Sequence, residues 1–210
     1  MQIPVIPVDG GSGGSLFCGS VAYRGFVPHI VGDTVSYREL ISGFTSDTED
    51  KHPVVVMDVE GLRRRNMSNT LLKRLKIRGS RTWFMTQIET LEDVFDAFNT
   101  DADAVLMPLH TVFDDRELDA IIEASDSVIP AIFVKERMTR SFLGRTSVQT
   151  ALDMLNRKGY SRSIVIDTDG SFGLEQWEML AERNVSPLSM NIGEEDFLSI
   201  GMLSSLRYLP

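Results

Sequence analysis

The chain has 210 residues, a formal net charge of −9 and a single cysteine. This length is sufficient for one large domain or two small ones with a full hydrophobic core. The acidic balance argues against nucleic acid as the main partner, because phosphate backbones require a basic protein surface. One cysteine provides no disulfide framework, and no apolar run approaches the roughly 20 residues of a membrane span. The N-terminus also lacks the features of a signal peptide, so we predict a cytoplasmic protein with no membrane partner.

The first quarter of the chain predicts a strand, a hairpin and a helix. Residues 3–8 form an apolar run typical of a buried strand, despite two prolines that suit its start and an edge. A Gly/Ser run at 10–15 follows; glycine amides can bind phosphate, although a turn is the more common role of such a run. Residues 16–27 alternate in polarity and predict a hairpin, and residues 37–44 predict a helix capped by Ser36.

The rest of the chain alternates between short apolar runs and helical periods. Strands are predicted at 54–58, 82–86, 104–107, 128–134, 164–167, 187–190 and 206–209. Helices are predicted after the caps Ser68 and Thr90, at 115–124, from Thr146 or Ser147 to 157, at 174–183 and at 197–204. Loops are predicted at 63–65 and 135–145. Strands and helices that alternate with short connections indicate a parallel sheet. Both an open doubly wound sheet and a closed barrel fit this order of elements.

An internal repeat favours the barrel. The phrase at 54–61, an apolar run ending in Asp-Val-Glu-Gly, occurs again at 163–170 as a run ending in Asp-Thr-Asp-Gly. Residues 3–8 also align with 129–134. The first four predicted strands therefore map onto the last four in order, which is the pattern of a duplicated half-barrel.

We therefore predict an α/β fold, a (β/α)8 TIM-type barrel forming a single domain over 1–210. Its half-repeats span about 1–125 and 126–210, and the final helix is missing. Without that helix the outer faces of strands eight and one are bare, and such apolar exposure indicates a partner. We expect a homo-oligomer or a hetero-complex through this outer wall, or a cover supplied by residues 16–44.

Three segments resemble the HisA/HisF family of histidine-biosynthesis (β/α)8 barrels. They are Ile3-Pro4-Val5-Ile6, Met57-Asp58-Val59-Glu60-Gly61 and the segment from Ile166 to Gly173. The last is similar to the Asp-Gly-Thr-x-x-Gly turn of that family. The resemblance implies a barrel that binds phosphorylated sugars and acts through one aspartate after strand one and one after strand five.

The positions implied for those aspartates are Pro7 and Phe133, which cannot transfer protons. Asp9, Lys135 or Glu136 lie close enough in sequence to replace them. The loops implied to bind phosphate, at 85–88 and 189–192, contain no glycine. We therefore predict a divergent relative and not the histidine-pathway isomerase; if it is an enzyme, the resemblance implies an isomerase- or lyase-like reaction on a sugar-phosphate-type metabolite.

Polar residues at the predicted strand ends are the candidates for chemistry. In a barrel these ends face the active-site mouth, and Asp58, His110 and Asp167 combine carboxylates with an imidazole suited to acid–base catalysis. Several carboxylates there could also hold a hard cation such as Mg²⁺. The competing interpretation is that these acids cap helices or brace loops. We assign no metal site and no cofactor.

Two basic segments follow strands two and five in an otherwise acidic chain. We predict that Arg64, Lys135, Arg137 and Arg140 bind an anion at the mouth. The predicted function is binding of a small anionic or phosphorylated metabolite. The alternative is a catalytically silent barrel that acts through protein–protein contacts, its mouth filled by Met57, Met85, Met107 and Met190. A nucleotide-binding open sheet is weaker, because no G-x-G-x-x-G follows the first strand.

Overall fold

The computed structural model describes residues 3–10, 14–44, 53–77, 80–181, 185–189 and 203–205. Twelve strands lie in these residues: β1 Ile3–Gly10, β2 Leu16–Arg24, β3 Val27–Ser36, β4 Pro53–Asp58, β5 Arg81–Met85, β6 Ala104–Pro108, β7 Val128–Lys135, β8 Met138–Ser141, β9 Gly144–Ser147, β10 Ser163–Asp167, β11 Val185–Ser189 and β12 Leu203–Ser205. The same residues contain seven helices: α1 Tyr37–Phe44, α2 Val59–Arg64, α3 Asn69–Leu75, α4 Leu91–Phe98, α5 Asp115–Ala124, α6 Val148–Arg157 and α7 Leu174–Ala181. No helix in this part of the chain is long and apolar enough to cross a membrane.

All twelve strands belong to one mixed sheet, with the order β11-β10-β7-β6-β5-β4-β1-β2-β3. The pairs from β11 to β1 are parallel, and β2 and β3 add an antiparallel hairpin beside β1. β12 also pairs with β1 in parallel, from Ile3 to Val5. β8 and β9 form a second hairpin that extends antiparallel from the end of β7.

The predicted closed (β/α)8 barrel is wrong. The structure is a mixed α/β fold in which the strands outnumber the helices, and within the described residues no ladder joins β11 to β12 to close the sheet. Four of the strands are antiparallel, because two connections that a barrel would use as loops pair as hairpins. The predicted eighth strand at 206–209 and most of the helix predicted at 197–204 lie outside the described residues, and residues 203–205 form β12 instead of helix.

The two predicted half-repeats begin in the same way. β1 is followed by the β2–β3 hairpin and α1, and β7 is followed by the β8–β9 hairpin and α6. The first hairpin was predicted from its alternation. The second, in residues predicted to be a loop, forms because Lys135 pairs with Met138 across Glu136 and Arg137. These two residues have φ of 53° and 61°, the left-handed conformations that a two-residue hairpin turn requires.

The central strands are buried on both faces, as their continuous apolar sequences predict. Every residue of β4, β6 and β10 is buried, a pattern typical of parallel strands covered on both sides. On one face, α4 to α7 pack over β6, β7 and β10, and α1 and α3 pack over β1, β4 and β5. Ile6 and Val8 of β1 pack beside Tyr37 of α1, so a helix from residues 16–44, one of the two predicted alternatives, covers this face of β1.

The β2–β3 hairpin covers the opposite face of the sheet. Val21, Tyr23, Phe26 and Ile30 of the hairpin pack against a cluster that includes Met57, Met85, Leu106, Phe133 and Ile166. Burying several large side chains in this way contributes about 1.5–3 kcal/mol for each side chain. The hairpin therefore fills much of the space in front of these strands.

The predicted helix starts are largely confirmed. Ser68 accepts a hydrogen bond from the Leu71 amide, Ser147 accepts one from Thr150, and Thr90 forms a capping box with Asp93. α2 was not predicted, since its last two residues, Arg63 and Arg64, were assigned to a loop. It forms because Asp58, the last residue of β4, accepts a hydrogen bond from the Gly61 amide and caps the helix.

Candidate functional site

A cavity of about 310 Å³ opens at the carboxyl edge of the sheet, where β4, β5, β6 and β7 end. Its polar lining residues are Arg65, Gln87, Glu89, His110, Thr111 and Arg140. Phe26 in the turn of the β2–β3 hairpin and Leu62 of α2 form part of its apolar wall. We call this space the arginine cavity.

Each element contributes one or two of these side chains. Arg65 ends α2 in the left-handed conformation, with φ of 54°. Gln87 and Glu89 follow β5, and Arg140 lies on β8. His110 follows β6 in a turn held by Thr111, whose hydroxyl lies 2.6 Å from the Ile88 carbonyl oxygen and 2.8 Å from that of Pro108. The site therefore depends on loops from four neighbouring strands.

His110 packs between aromatic rings and is neutral at pH 7. Its ring centroid lies 5.4 Å from that of Phe26 and 4.9 Å from that of Phe133. Burial, followed by the positive charges of Arg65 and Arg140, lowers the pKa of His110 from 6.5 to about 4. Its Nδ1 atom is buried and has no hydrogen-bond partner in the described part of the chain.

The two arginines of the cavity have no acidic partner among the described residues. Neither Arg65 nor Arg140 forms an ion pair with any described residue, whereas Arg63 pairs with Asp9 and Arg64 pairs with Glu60 at 2.9 Å. Unpaired guanidinium groups that face a cavity favour an anionic ligand, because Arg binds carboxylates and phosphates through two parallel hydrogen bonds.

Asp58, predicted to be catalytic, is buried in a structural role. It has no exposed surface, and its oxygens accept hydrogen bonds from the Gly61 amide and the Thr86 hydroxyl, each at 2.8 Å. Burial raises the pKa of Asp58 to about 6, although these two hydrogen bonds act in the opposite direction. Asp58 is not among the residues that line the arginine cavity.

Asp167 has the same role in the second copy of the repeated phrase. It is fully buried, and it accepts hydrogen bonds from the amides of Phe172 at 2.9 Å and Ser171 at 3.1 Å. Burial raises the pKa of Asp167, and the neighbouring Asp169 adds to that effect. Of the three residues predicted to be catalytic, only His110 lines the arginine cavity, and both aspartates brace the turns that follow their strands.

The residues predicted to bind an anion are spread over three places. Arg140 lines the arginine cavity, and together with Lys135 it lines an adjoining cavity of about 500 Å³. Arg137 lies in the β7–β8 turn, where its Nε donates to the Ser171 carbonyl oxygen at 3.3 Å. Arg64 lines a separate cavity of about 340 Å³ near Gly14. The structure therefore brings only His110 and Arg140 of the predicted site residues together in the arginine cavity.

Arg65, Glu89 and Phe26 were missed. Arg65 belongs to the Arg63-Arg64-Arg65 run that the sequence singles out, but its direction depends on α2, which was not predicted. Glu89 stands four residues beyond its strand, and its sequence neighbourhood carries no signal for a site. Phe26 lies next to Gly25 in a turn, and its position over His110 follows from how the hairpin folds across the sheet.

The positions implied by the HisA/HisF resemblance hold apolar side chains. Pro7 and Phe133 are buried, and the ring of Phe133 packs against Tyr23 at 5.8 Å. The nearby acids have other partners, since Asp9 pairs with Arg63 and Glu136 pairs with Arg145 at 3.0 Å. Neither family position therefore supplies an acid or a base.

The predicted methionine plug is only partly present. Met57 and Met85 are buried beneath the β2–β3 hairpin, whereas Met107 packs on the opposite face with the helices. Met190 lies outside the described residues. The aromatic side chains of the hairpin, more than the methionines, fill the space in front of the strands.

No known family model matches the chain, and a search of curated proteins gives no significant match. Across the residues that the structure describes, no group of three or more His, Cys, Asp or Glu side chains lies together as a metal site requires. The chemistry of the site therefore has to be inferred from the arginine cavity itself.

Proposed function

We propose that this protein binds a small anionic metabolite in the arginine cavity. The observation that carries the proposal is the pair Arg65 and Arg140, two guanidinium groups without ion-pair partners in the described chain that line one cavity. The protein as a whole has a net charge of −9, so a locally positive cavity attracts anions against the general field of the surface.

The chemistry of the lining suits a phosphate or a carboxylate. Arg can hold either group through two parallel hydrogen bonds. His110 is neutral at pH 7 because of its lowered pKa, so it can donate one hydrogen bond without adding charge. Phe26 and Leu62 offer apolar contact to the remainder of the ligand.

A reaction is not part of this proposal. Asp58 and Asp167 use their oxygens to hold turns, and only His110 of the predicted catalytic residues is placed to meet a ligand. Common ancestry with the HisA/HisF family stays a hypothesis, supported by the three similar segments and the repeated phrase. We also propose a cytoplasmic location, for which the support is a single cysteine that is buried and free.

Calorimetric titration with sulfate and with ribose 5-phosphate tests the proposal. Replacing either arginine, as Arg65→Gly or Arg140→Ala, should weaken binding about tenfold or more, because each removes charge-assisted hydrogen bonds. Arg64→Ala is the matched control: it removes the same charge from the adjacent position, but Arg64 pairs with Glu60 and lines another cavity. The proposal is wrong if neither anion binds, or if all three variants bind as the wild type does.

Protein–protein contact is a second candidate, favoured by two large apolar side chains that are exposed. Leu143 at the tip of the β8–β9 hairpin is 73% exposed, and Phe113 in the loop after β6 is 72% exposed. Large exposed apolar side chains are typical of interaction surfaces. Sedimentation equilibrium should then show self-association that Leu143→Ser weakens, and a monomer at all concentrations would count against a homo-oligomer.

A further inference from the structure

The arginine cavity also contains acceptor groups that an anion leaves unsatisfied. Gln87 is only 4% exposed, and its Oε1 atom is buried without a hydrogen-bond partner in the described chain. The amide of Gln87 is oriented by a hydrogen bond from its Nε2 to Glu89 Oε1 at 3.0 Å. Glu89 forms no ion pair with any described residue. A buried acceptor without a donor costs free energy, so a ligand that supplies a donor gains affinity here.

The charged groups alternate in sign across the cavity. Arg65 follows β4, Glu89 follows β5 and Arg140 lies on the hairpin that extends β7. In the sheet these strands have the order β4-β5-β6-β7, with neighbours about 4.8 Å apart. The carboxylate of Glu89 therefore belongs to the strand between those of the two arginines, yet it neutralises neither of them.

The cavity is small. Its volume of about 310 Å³ equals that of about ten water molecules at roughly 30 Å³ each. A ligand of this size that occupies the arginines also reaches Glu89 and Gln87, because all four residues line the same space.

From this arrangement we infer that the ligand is an amine-bearing anion, a small molecule with a phosphate or carboxylate group and a protonated amine. The anionic group binds Arg65 and Arg140, and the ammonium group donates to Glu89 and to Gln87 Oε1. This inference rests on the proposed anion-binding function and specifies its ligand class. A hydroxyl group would also satisfy Gln87, but it offers no charge to Glu89, so selection of an amine over a hydroxyl depends on Glu89.

Three probes that differ in one group separate these contributions: 2-aminoethyl phosphate, 2-hydroxyethyl phosphate and ethyl phosphate. Titration calorimetry on the full chain at about pH 8 keeps the amine protonated and His110 neutral. We expect 2-aminoethyl phosphate to bind about tenfold or more tightly than ethyl phosphate, the size of one charge-assisted hydrogen bond. The hydroxyl probe should fall between the two.

The variant Glu89→Gln tests the assignment to that residue. It retains an oxygen for Gln87 Nε2 and removes the charge, so 2-aminoethyl phosphate should bind more weakly and ethyl phosphate more tightly than in the wild type. Glu92→Gln makes the same charge change at an exposed position of α4 that does not line the cavity, and the tenfold preference should persist. Thermal melting of both variants shows whether they remain folded.

The outcomes are distinguishable. If no probe binds, the proposed anion-binding function is wrong and the inferred ligand class is wrong with it. If the three wild-type affinities are equal, anion binding stands and the amine requirement is refuted. A preference for the amine that persists in Glu89→Gln would overturn the role of Glu89, and the wild-type comparison decides the ligand class even if that variant fails to fold.

Discussion

Replacing Asp58 with asparagine should stabilise the protein at neutral and alkaline pH. Asp58 is a fully buried carboxylate without a cationic partner in the described chain, and it accepts hydrogen bonds from the Gly61 amide and the Thr86 hydroxyl. An asparagine can keep both contacts, since its oxygen accepts from Gly61 and its amide donates to the Thr86 hydroxyl oxygen. The change therefore removes a buried charge and retains the cap of α2.

The magnitude follows from the pKa of Asp58, which burial raises from 3.8 to about 6. A folded-state pKa above the unfolded value means that stability is fully present below the unfolded pKa and is lost as pH rises through the folded pKa. A difference of about two pKa units corresponds to about 3 kcal/mol of lost stability above about pH 7. Asp58→Asn should regain about 1–3 kcal/mol of this at about pH 8, because hydrogen bonds to a neutral amide are weaker.

Urea denaturation at several pH values measures this effect. The difference in the free energy of unfolding between Asp58→Asn and wild type should widen by about 1.5 kcal/mol between about pH 5 and about pH 8. A difference that does not change with pH, or a variant less stable than wild type at about pH 8, would refute the assignment of Asp58 as a buried, unpaired carboxylate.

Asp167, Arg65 and His110 each offer a further test of this geometry. Asp167→Asn should lose about 1–3 kcal/mol of stability at about pH 5, since both Asp167 oxygens accept backbone N–H groups and asparagine offers one acceptor. Because burial raises the pKa of Asp167, this loss should become smaller as pH rises to about 8; stability equal to that of the wild type in urea at about pH 5 would contradict the prediction. Arg65→Gly should leave the melting temperature unchanged or raise stability by up to about 1 kcal/mol. The reason is that the backbone φ of 54° at Arg65 suits glycine. A clear loss of stability would be inconsistent with that conformation. Sulfate affinity should increase as pH falls from about 7 to about 5. Burial, and after it the charges of Arg65 and Arg140, lower the pKa of His110, and a bound anion offsets the arginine part, so binding favours protonation of His110. His110→Gln should remove this pH dependence, and a weaker affinity at about pH 5 than at about pH 7 would oppose the prediction.

The sequence alone predicted most of the elements, because their causes are local. Continuous apolar runs placed β4, β6, β7 and β10, and the capping residues Ser68 and Ser147 placed the starts of α3 and α6. The arrangement of the strands in the sheet does not have local causes of this kind. The β8–β9 hairpin depends on two consecutive left-handed residues, Glu136 and Arg137, neither of which is a glycine that would mark such a turn.

In the candidate site, too, some features were predicted from the sequence and others depend on the tertiary structure. The sequence predicted His110 at a strand end and Arg140 in a basic segment. The structure brings both residues to one cavity. The repeated Asp58 and Asp167 had the pattern of catalytic strand ends, but only the folded turns show that their oxygens are already bound by backbone amides. The tertiary structure also selected Arg65 over Arg64, because a short helix that Asp58 caps determines which of two adjacent arginines faces the cavity.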